Sequence, residues 1–348
     1  MNLSVCSFVP GGTPEEVTPT QCEEYLLFWY RDSENNVSRN VKNSTLRREF
    51  YLKTFLISDE EQLVVIIGVL LMYLLTVFGN LIIAALVCLV PQLHTPMYVF
   101  LCSLSVEDIV YVSAILPKLL AMMITGDTSI SFSDCITQSF LYVFCINTEF
   151  FLLTSMAYDR YVAICIPLHY SLIMTKKMCT ILITVSWFAG FLNSFVVSMI
   201  TSHLTYCNKH EINNFFCDVT IILKLSCSDT NFIINIYIPI DGTIVGFFPF
   251  IFIMISYVCI ISTILKIRSS SGRLKTFSSC SSHLTVVVLF YGTSLGLNMK
   301  PKTENTLEID KLLSMVYIGM VPMVNPLIYS LRNKEVLKAM RSILKKTK

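Results

Sequence analysis

Apolar runs long enough to cross a bilayer recur along the chain and alternate with short polar stretches. A membrane-spanning helix needs about 20 apolar residues, because the hydrocarbon layer is roughly 30 Å thick. The pattern therefore predicts an all-α membrane protein, built as a bundle of seven transmembrane helices. We number these helices spans 1 to 7, and their expected positions are 63–90, 96–122, 136–158, 178–200, 232–265, 276–299 and 312–331.

Lys and Arg between the spans predict the orientation of the bundle. Basic residues next to a span resist translocation, so they collect on the cytosolic side. The 3–4 and 5–6 connections carry Arg160, Lys177, Arg268 and Lys275, and seven more basic residues follow from Arg332 to Lys348. We therefore expect a cytosolic C-terminus, an extracellular N-terminus and a multi-pass protein of the plasma membrane.

The two ends of the chain differ in composition from the spans. We expect an extracellular tail over 1–62, a seven-helix domain over 63–331 and a cytosolic tail over 332–348. Residues 1–40 are rich in Pro and Gly and are predicted to be disordered, and span 1 is expected to direct insertion because no apolar leader follows Met1. The cytosolic tail predicts a short amphipathic helix on anionic lipid, whose inward side chains are Val336, Leu337, Met340 and Leu344.

Composition and charge exclude several classes of function. Hydrophobic residues make up 54% of the chain and charged residues 14%, and the net charge is +2. That charge does not suit a basic nucleic-acid surface, and the sequence has neither a Gly-rich phosphate loop nor zinc-type Cys and His spacing. We expect membrane lipid as a partner, no nucleic acid, no enzymatic activity and no cofactor other than a possible sodium ion.

Four cysteines fall on the side predicted to be outside. Cys135 opens span 3, and Cys207, Cys217 and Cys227 lie in the 4–5 connection. An oxidising exterior favours disulfides, but spacing alone leaves three connectivities open. The sequon at Asn43 is a candidate glycosylation site on the same side.

Polar side chains inside the spans indicate a structural or functional role, because placing an ionisable group in hydrocarbon costs free energy. Counting along the helices places Asp108 and Glu149 about 16–18 Å from the cytosolic ends of spans 2 and 3. Two carboxylates that meet there must share a proton or hold a cation such as Na⁺, with Asn80 and Asn325 as further ligands. The alternative is a neutral hydrogen-bonded contact that only joins helices.

A second set of polar residues lies toward the cytosol. Asp159-Arg160-Tyr161 ends span 3 with an Arg beside its own carboxylate, which predicts a latch that can open toward a cytosolic protein. In span 7, Pro326 follows Asn325 and predicts a hinge, and Tyr329 lies one turn further on. Span 5 repeats the proline-then-tyrosine order with Pro249 and Tyr257.

These residues resemble, in order and spacing, the marks of rhodopsin-like G-protein-coupled receptors. Four longer strings are similar to those of odorant receptors: PMYVFLCSLSVEDIVYVSAILPK, MAYDRYVAICIPLHYSLIM, KTFSSCSSHLTVVVLFYGTS and PMVNPLIYSLRNKEV. The resemblance covers about residues 43–348. Ser171 and Val99 depart from the family pattern, and residues 1–40 have no counterpart in it, so they are a real extension or an error in the start codon.

The resemblance implies a function and several pairings. It implies an odorant receptor that activates a stimulatory, olfactory-type heterotrimeric G protein and raises cyclic AMP. It also implies disulfides between Cys135 and Cys217 and between Cys207 and Cys227, a glycan at Asn43, and a mid-membrane ion site in which Glu149 lies beside Asp108.

A receptor needs a cavity open to the outside, lined by the outer halves of spans 3, 5, 6 and 7. Ligand there is expected to favour outward movement of span 6, whose cytosolic end carries His283. Asp241 could pair with an amine ligand, or it could simply face water. Helical spacing selects as ligand-binding candidates Tyr142, Val143, Ile146, Asn147, Asp241, Val245, Tyr291, Ser294, Leu295, Asn298, Met315 and Ile318.

Other readings of seven spans are weaker. A transporter would show broken helices around a midplane site, and an intramembrane hydrolase would show a catalytic constellation at depth. Asp108 with Glu149 could imitate an aspartyl pair, but no GxGD-like string surrounds either residue. The nearest alternative is a receptor of the same superfamily that is expressed outside the nose and binds a non-odorant ligand.

Overall fold

Long apolar helices account for most of the structure, a computed structural model that describes residues 49–55, 59–207, 210–298, 307–331 and 336–340. The prediction of an all-α, seven-helix bundle is confirmed. The spans occupy Asp59–Leu89, Pro96–Thr125, Phe132–Cys165, Lys176–His203, Ile233–Leu265 and Ser270–Asn298, and span 7 is formed by Leu307–Met315, Val316–Met320 and Val321–Leu331.

Six of these helices in the described part of the chain are long and apolar enough to cross a membrane. Span 6 is the seventh helix of the bundle and is more polar than the other six. Its first half, where Ser, Arg273 and Lys275 are concentrated, is polar because it extends toward the cytosol. Span 1 begins at Asp59 rather than at residue 63, so the predicted tail ends slightly earlier than expected.

Local sequence signals set several helix ends. Pro96 occupies the first turn of span 2, where its missing N–H leaves no hydrogen bond unmade, and Gly126 ends the span with a φ of 73°. Ser131 caps span 3 by accepting a hydrogen bond from the Asp134 N–H at 3.1 Å. Thr175 caps span 4 in the same way through the Met178 N–H at 3.2 Å.

Spans 5 and 7 are not regular α-helices throughout. π-helical turns occupy Ile233–Tyr237 and Gly242–Phe247 in span 5 and Val316–Met320 in span 7. Pro249 lies two residues after the end of the second π turn, where its missing N–H interrupts the α-helical ladder. Pro249 and Pro326 were identified from the sequence as sites where the helices could kink, but the π turns were not predicted.

Span 3 is the centre of the bundle and packs against spans 2, 4, 5 and 6. Gly190 of span 4 lies so close to Thr148 and the Phe144 carbonyl of span 3 that a Cβ there would overlap them. Trp187 donates from Nε1 to Ser103 Oγ at 2.7 Å and joins spans 4 and 2. Large apolar side chains on the outward faces, such as Phe188 at 64% exposure, suit contact with lipid.

A three-stranded sheet, which the sequence analysis did not predict, lies among the outer connections. Its strands are β1 (Glu49–Leu52), β2 (Ser129–Ser131) and β3 (Glu211–Ile212), in the order β2-β1-β3. β1 runs parallel to β3, with Tyr51 opposite Glu211. Leu52 of β1 is buried, and it belongs to the same hydrophobic core as the helices, so the sheet packs onto the outer end of the bundle.

Two disulfides fix the long connection between spans 4 and 5. The structure joins Cys135 to Cys217 with 5.4 Å between their Cα atoms, and Cys207 to Cys227 with 5.9 Å. These are the pairings that the resemblance implies. Gln138 of span 3 reinforces the first one, because its Oε1 accepts from the Cys217 N–H at 2.9 Å. The connection is thereby held over the outer end of span 3.

Candidate functional site

A cavity of about 210 Å³ opens in the outer half of the bundle between spans 3, 4 and 5 and the 4–5 connection. Five of the predicted ligand-binding residues line it. They are Tyr142, Val143, Ile146 and Asn147 of span 3 and Asp241 of span 5. The helical spacing on span 3 therefore selected one wall of a real cavity.

The other walls come from span 4 and the 4–5 connection, which were not expected to line the cavity, and from further residues of span 5. A short helix in the 4–5 connection, Val219–Leu225, covers the cavity, and Asp218 caps it by accepting hydrogen bonds from the Thr220 and Ile221 N–H groups. A capping Asp before an apolar run was a signal in the sequence for this helix. The lining residues that were missed are Val197, Ile200 and Thr201 of span 4, Asp218, Val219, Thr220 and Leu223 of the connection, and Ile233, Tyr237 and Ile238 of span 5.

Seven of the predicted ligand-binding residues do not line this cavity. Ile318 and Val245 are buried, Met315 and Ser294 are half-buried, Leu295 is 48% exposed, and the Asn298 side chain lies outside the described residues. Tyr291 packs in an aromatic cluster, with ring centroids 5.2 Å from Phe150 and 4.9 Å from Phe250. That cluster joins spans 3, 5 and 6, so Tyr291 fills space between the helices here.

Asp241 is held by a chain of neutral polar groups. Its Oδ2 accepts from Asn193 Nδ2 at 3.2 Å, and the Tyr237 hydroxyl donates to Asn193 Oδ1 at 3.3 Å. Tyr237 and Asp241 both line the cavity. Among the described residues no Lys, Arg or His side chain forms an ion pair with Asp241. A half-buried carboxylate thus faces the cavity with an amide as its hydrogen-bond donor.

The predicted mid-membrane group of polar residues is buried, and Asp108 and Asn325 meet in it. Asn325 Nδ2 donates to both oxygens of Asp108, at 3.1 and 3.3 Å. Asn80 instead donates to the Pro322 carbonyl at 3.2 Å, so it joins spans 1 and 7. Glu149 is 1% exposed, and its Oε1 has no hydrogen-bond partner among the described residues.

Glu107 is a third buried carboxyl that was not included in the predicted ion site. It is fully buried, it lies beside the Cys145 thiol of span 3, and it interacts electrostatically with Glu149 and Asp108. Three acids therefore share one buried region. No cluster of three or more His, Cys, Asp or Glu side chains converges on a metal position anywhere in the described ranges.

The cytosolic end of span 3 carries the predicted latch. Arg160 donates from Nε to Asp159 Oδ2 at 2.9 Å and also contacts that oxygen through its Nη2. The Tyr170 hydroxyl donates to the other oxygen, Asp159 Oδ1, at 2.8 Å. Burial and the neighbouring Asp159 carboxylate raise the pKa of Tyr170, so its hydroxyl keeps the proton that it donates. Tyr161, the third residue of the motif, is half-buried beside them.

His283 ties three spans together close to the latch. Its Nε2 lies 3.1 Å from the Leu153 carbonyl of span 3, and its Nδ1 lies 2.7 Å from the Tyr257 hydroxyl of span 5. A carbonyl can only accept, so Nε2 carries the proton, and Nδ1 of the neutral ring accepts from Tyr257. The contact holds span 6 against spans 3 and 5.

The remaining predicted switch residues lie in span 7. Pro326 is inside the helix Val321–Leu331, and Tyr329 is buried, with no hydrogen-bond partner for its hydroxyl among the described residues. Ser282 of span 6 donates to the Ile328 carbonyl at 3.3 Å. The hydroxyl of Tyr329 is therefore a buried polar group available for a different packing arrangement.

Two predicted features fall partly or wholly outside the described residues. Asn43 and Leu344 lie outside them. Residues 336–340 are helical, with Val336 and Ala339 buried and Lys338 exposed. That alternation suits one apolar face and one polar face.

Comparison with known proteins identifies sequences similar to this chain. The model of the family described as olfactory receptor matches residues 69–347. Olfactory receptor 1496 of Rattus norvegicus is 43% identical over 304 residues, covering 87% of this chain and 98% of the relative. Olfactory receptor 13F1 of Homo sapiens is 44% identical over 302 residues, covering 87% and 94%. Olfactory receptor 5AR1 of Mus musculus is 43% identical over 305 residues, covering 88% and 98%.

Proposed function

Because this chain belongs to the olfactory receptor family, and is therefore a non-enzymatic odorant receptor of the plasma membrane that couples to a G protein, we propose how it signals. A small volatile molecule binds in the outer cavity between spans 3, 4 and 5. The receptor then activates a stimulatory, olfactory-type heterotrimeric G protein and raises cyclic AMP.

One observation carries this proposal: the same two helices contribute to the outer cavity and to the polar contacts at the cytosolic end of the bundle. Span 3 provides Tyr142 and Asn147 to the cavity and Arg160 to the latch. Span 5 provides Asp241 to the cavity and Tyr257 to the contact with His283. A ligand that changes the packing of these two helices would therefore act on both ends of the bundle.

The proposed mechanism is a population shift between two packings of the helices. In the present packing, His283 holds span 6 against Leu153 and Tyr257, and Asp159 holds Arg160. Ligand in the cavity favours a packing in which span 6 moves outward and Arg160 is uncovered for the G protein. Span 7 adjusts to that movement by bending at Pro326, and the Tyr329 hydroxyl forms a hydrogen bond with a new partner.

A sodium ion in the mid-membrane region is a further part of the proposal. Glu149 Oε1 and Asn80 Oδ1 are buried oxygens without a hydrogen-bond partner in the described structure, and Asp108 lies with Asn325 in the same region. Oxygen atoms of this kind are suitable donors for a hard cation. Asn80, Asp108, Glu149 and Asn325 would hold the ion, which would neutralise part of the buried negative charge.

The two tails are proposed to serve the membrane and the cell surface. An extracellular tail that ends before Asp59 would carry a glycan at Asn43, and the cytosolic tail over 332–348 would continue the short helix at 336–340 along the lipid headgroups. The seven-helix domain, from Asp59 to Leu331, would carry both binding and signalling.

Cyclic AMP measured in cells tests the proposed function. The full chain is expressed, its surface level is measured by antibody staining of live cells, and a chemically diverse panel of volatiles is applied. We expect at least one compound to raise cyclic AMP in the wild type and not in Arg160→Ala at equal surface level. A response that is unchanged in Arg160→Ala would contradict the proposed role of the latch.

A further inference from the structure

The cavity of about 210 Å³ is small and has one sign of charge. Pockets for drug-sized ligands have volumes of about 300–1,000 Å³, so this one suits a compact molecule. Two of its lining residues, Asp218 and Asp241, are carboxylates, and none is Lys, Arg or His. The remaining walls are mostly aliphatic side chains, which suit a short hydrocarbon skeleton.

The two carboxylates have different surroundings. Asp218 caps the helix Val219–Leu225 and accepts hydrogen bonds from two backbone N–H groups, at 2.7 and 3.2 Å, so its charge already stabilises the connection. Asp241 lies in span 5 and accepts from one neutral amide, that of Asn193, at 3.2 Å. Of the two, Asp241 is the carboxylate with the weaker compensation.

Charge in a membrane-spanning helix needs compensation, because hydrocarbon solvates it poorly. In the described part of the chain, Lys53 pairs with Glu211 and Arg160 with Asp159, and none of the described Lys, Arg or His side chains lines this cavity. Asn193 and Tyr237 fix the position of the Asp241 carboxylate without neutralising it. A cationic group on the molecule that fills the cavity would supply that compensation.

From this arrangement we infer that the receptor's odorants are small aliphatic amines, whose ammonium group pairs with Asp241 while the hydrocarbon skeleton packs against Val143, Ile146 and Ile238. The inference rests on the proposed function, since it names the class of ligand for the same cavity. A charge-assisted hydrogen bond from an ammonium group to Asp241 would supply both affinity and selectivity against alcohols and acids of the same shape.

The test uses matched odorants with the same skeleton and a different polar group. Isoamylamine, isoamyl alcohol and isovaleric acid form one set, and cyclohexylamine and cyclohexanol form another. Dose–response curves for cyclic AMP are recorded for the wild type, Asp241→Asn and Asp241→Glu at matched surface level. Asp229→Asn is the control, because Asp229 is an exposed residue of the 4–5 connection, close to the start of span 5, and does not line the cavity.

We expect the amines to activate the wild type and the matched alcohols and acid to be weaker. Asp241→Asn should raise the half-maximal concentration of each amine by roughly 30-fold or more, the effect of removing one partner of a buried charge pair. Asp241→Glu should retain part of the response, and Asp229→Asn should behave as the wild type.

Two outcomes would overturn the inference, and they differ from a failure of the proposed function. A wild type that responds to neutral or acidic volatiles but not to amines would refute the inferred ligand class, and so would an amine response that Asp241→Asn leaves intact. Either result would leave the proposed function as an odorant receptor in place. A receptor that reaches the surface and responds to none of the panel or of the wider volatiles would contradict the proposed function, and the amine inference with it.

Discussion

Two ion pairs lie at opposite ends of this receptor, and their surroundings differ. At the outer end, Lys53 and Glu211 are 2.7 Å apart, and their side chains are 51% and 66% exposed. At the cytosolic end, the side chains of Arg160 and Asp159 are 14% and 0% exposed. Water and salt screen the first pair, whereas the second is shielded from both.

The difference indicates where charge can act as a switch. The exposed pair joins segments that the three-stranded sheet also holds together, so its loss changes little. Breaking the buried pair leaves a charge without compensation, which the protein must resolve by moving. A switch therefore needs the buried pair at the cytosolic end, while covalent links can hold the outer end.

The largest effect is expected from removing the covalent link at the outer end. Cys135–Cys217 closes 82 residues of chain and Cys207–Cys227 closes 20. Through the reduced entropy of the unfolded chain alone, the first disulfide contributes about 4–5 kcal/mol to the free energy of unfolding and the second about 3 kcal/mol. The double variant Cys135→Ser/Cys217→Ser should therefore lose more surface expression than Cys207→Ser/Cys227→Ser. Equal surface levels of the two variants, measured by live-cell staining, would contradict this ranking.

Asp159→Asn should have the next largest effect, because it leaves the Arg160 guanidinium with a neutral neighbour. Removing one partner of a buried pair destabilises by about 3 kcal/mol or more. We expect ligand-independent cyclic AMP to rise about tenfold per receptor at the surface, together with lower thermal stability in detergent. Asp134→Asn, at the outer end of the same span, is the matched control. Basal signalling equal to that of the control would argue against a latch.

Tyr170→Phe tests the same latch with a smaller change. It removes the hydroxyl that donates to Asp159 Oδ1 at 2.8 Å and keeps the ring. One hydrogen bond of this kind contributes about 1 kcal/mol, which corresponds to a rise in basal cyclic AMP of about fivefold. Tyr161→Phe is the comparison variant, because no hydrogen bond from its hydroxyl contributes to the described latch. A fall in basal signalling on Tyr170→Phe would contradict the assignment.

Much of this architecture could be predicted from the sequence, for reasons that differ by region. The spans follow from apolar runs. Gly126, Ser131 and Thr175 are local signals for helix ends, but the apolar runs alone had placed those ends at 122, 136 and 178. The π turns depend on how neighbouring helices pack. The three-stranded sheet pairs β1 with a strand far along the chain, which no local pattern encodes.

The cavity was predicted only in part for a similar physical reason. The stripe of Tyr142, Ile146 and their neighbours on span 3 is a periodic signal, whereas the contribution of span 4 depends on helix packing. Spacing marked Tyr291 as a ligand contact, but its ring packs against Phe150 and Phe250. Periodicity identifies the face of a helix and leaves open what that face contacts.

The smallest effect is expected at the exposed pair. Lys53→Ala should change surface level and odorant potency by less than about twofold, because exposed ion pairs contribute little. The hydrogen bond and charge of Lys53 hold the pKa of Glu211 below its usual range. The small contribution is therefore present at neutral pH and is lost as the pH falls through that lowered pKa. A large loss of surface receptor on Lys53→Ala would show that the outer pair matters more than its exposure suggests.

The central claim is that ligand in the outer cavity moves span 6 away from the latch at the cytosolic end. The direct measurement is the distance between spin labels attached through unnatural amino acids at Lys177 of span 4 and Lys275 of span 6, both exposed. Purified receptor is measured with and without an odorant that raises cyclic AMP. We predict a population at longer distance that grows with odorant and is present without it in Asp159→Asn. An unchanged distance distribution at a saturating, signalling concentration of odorant would contradict the account.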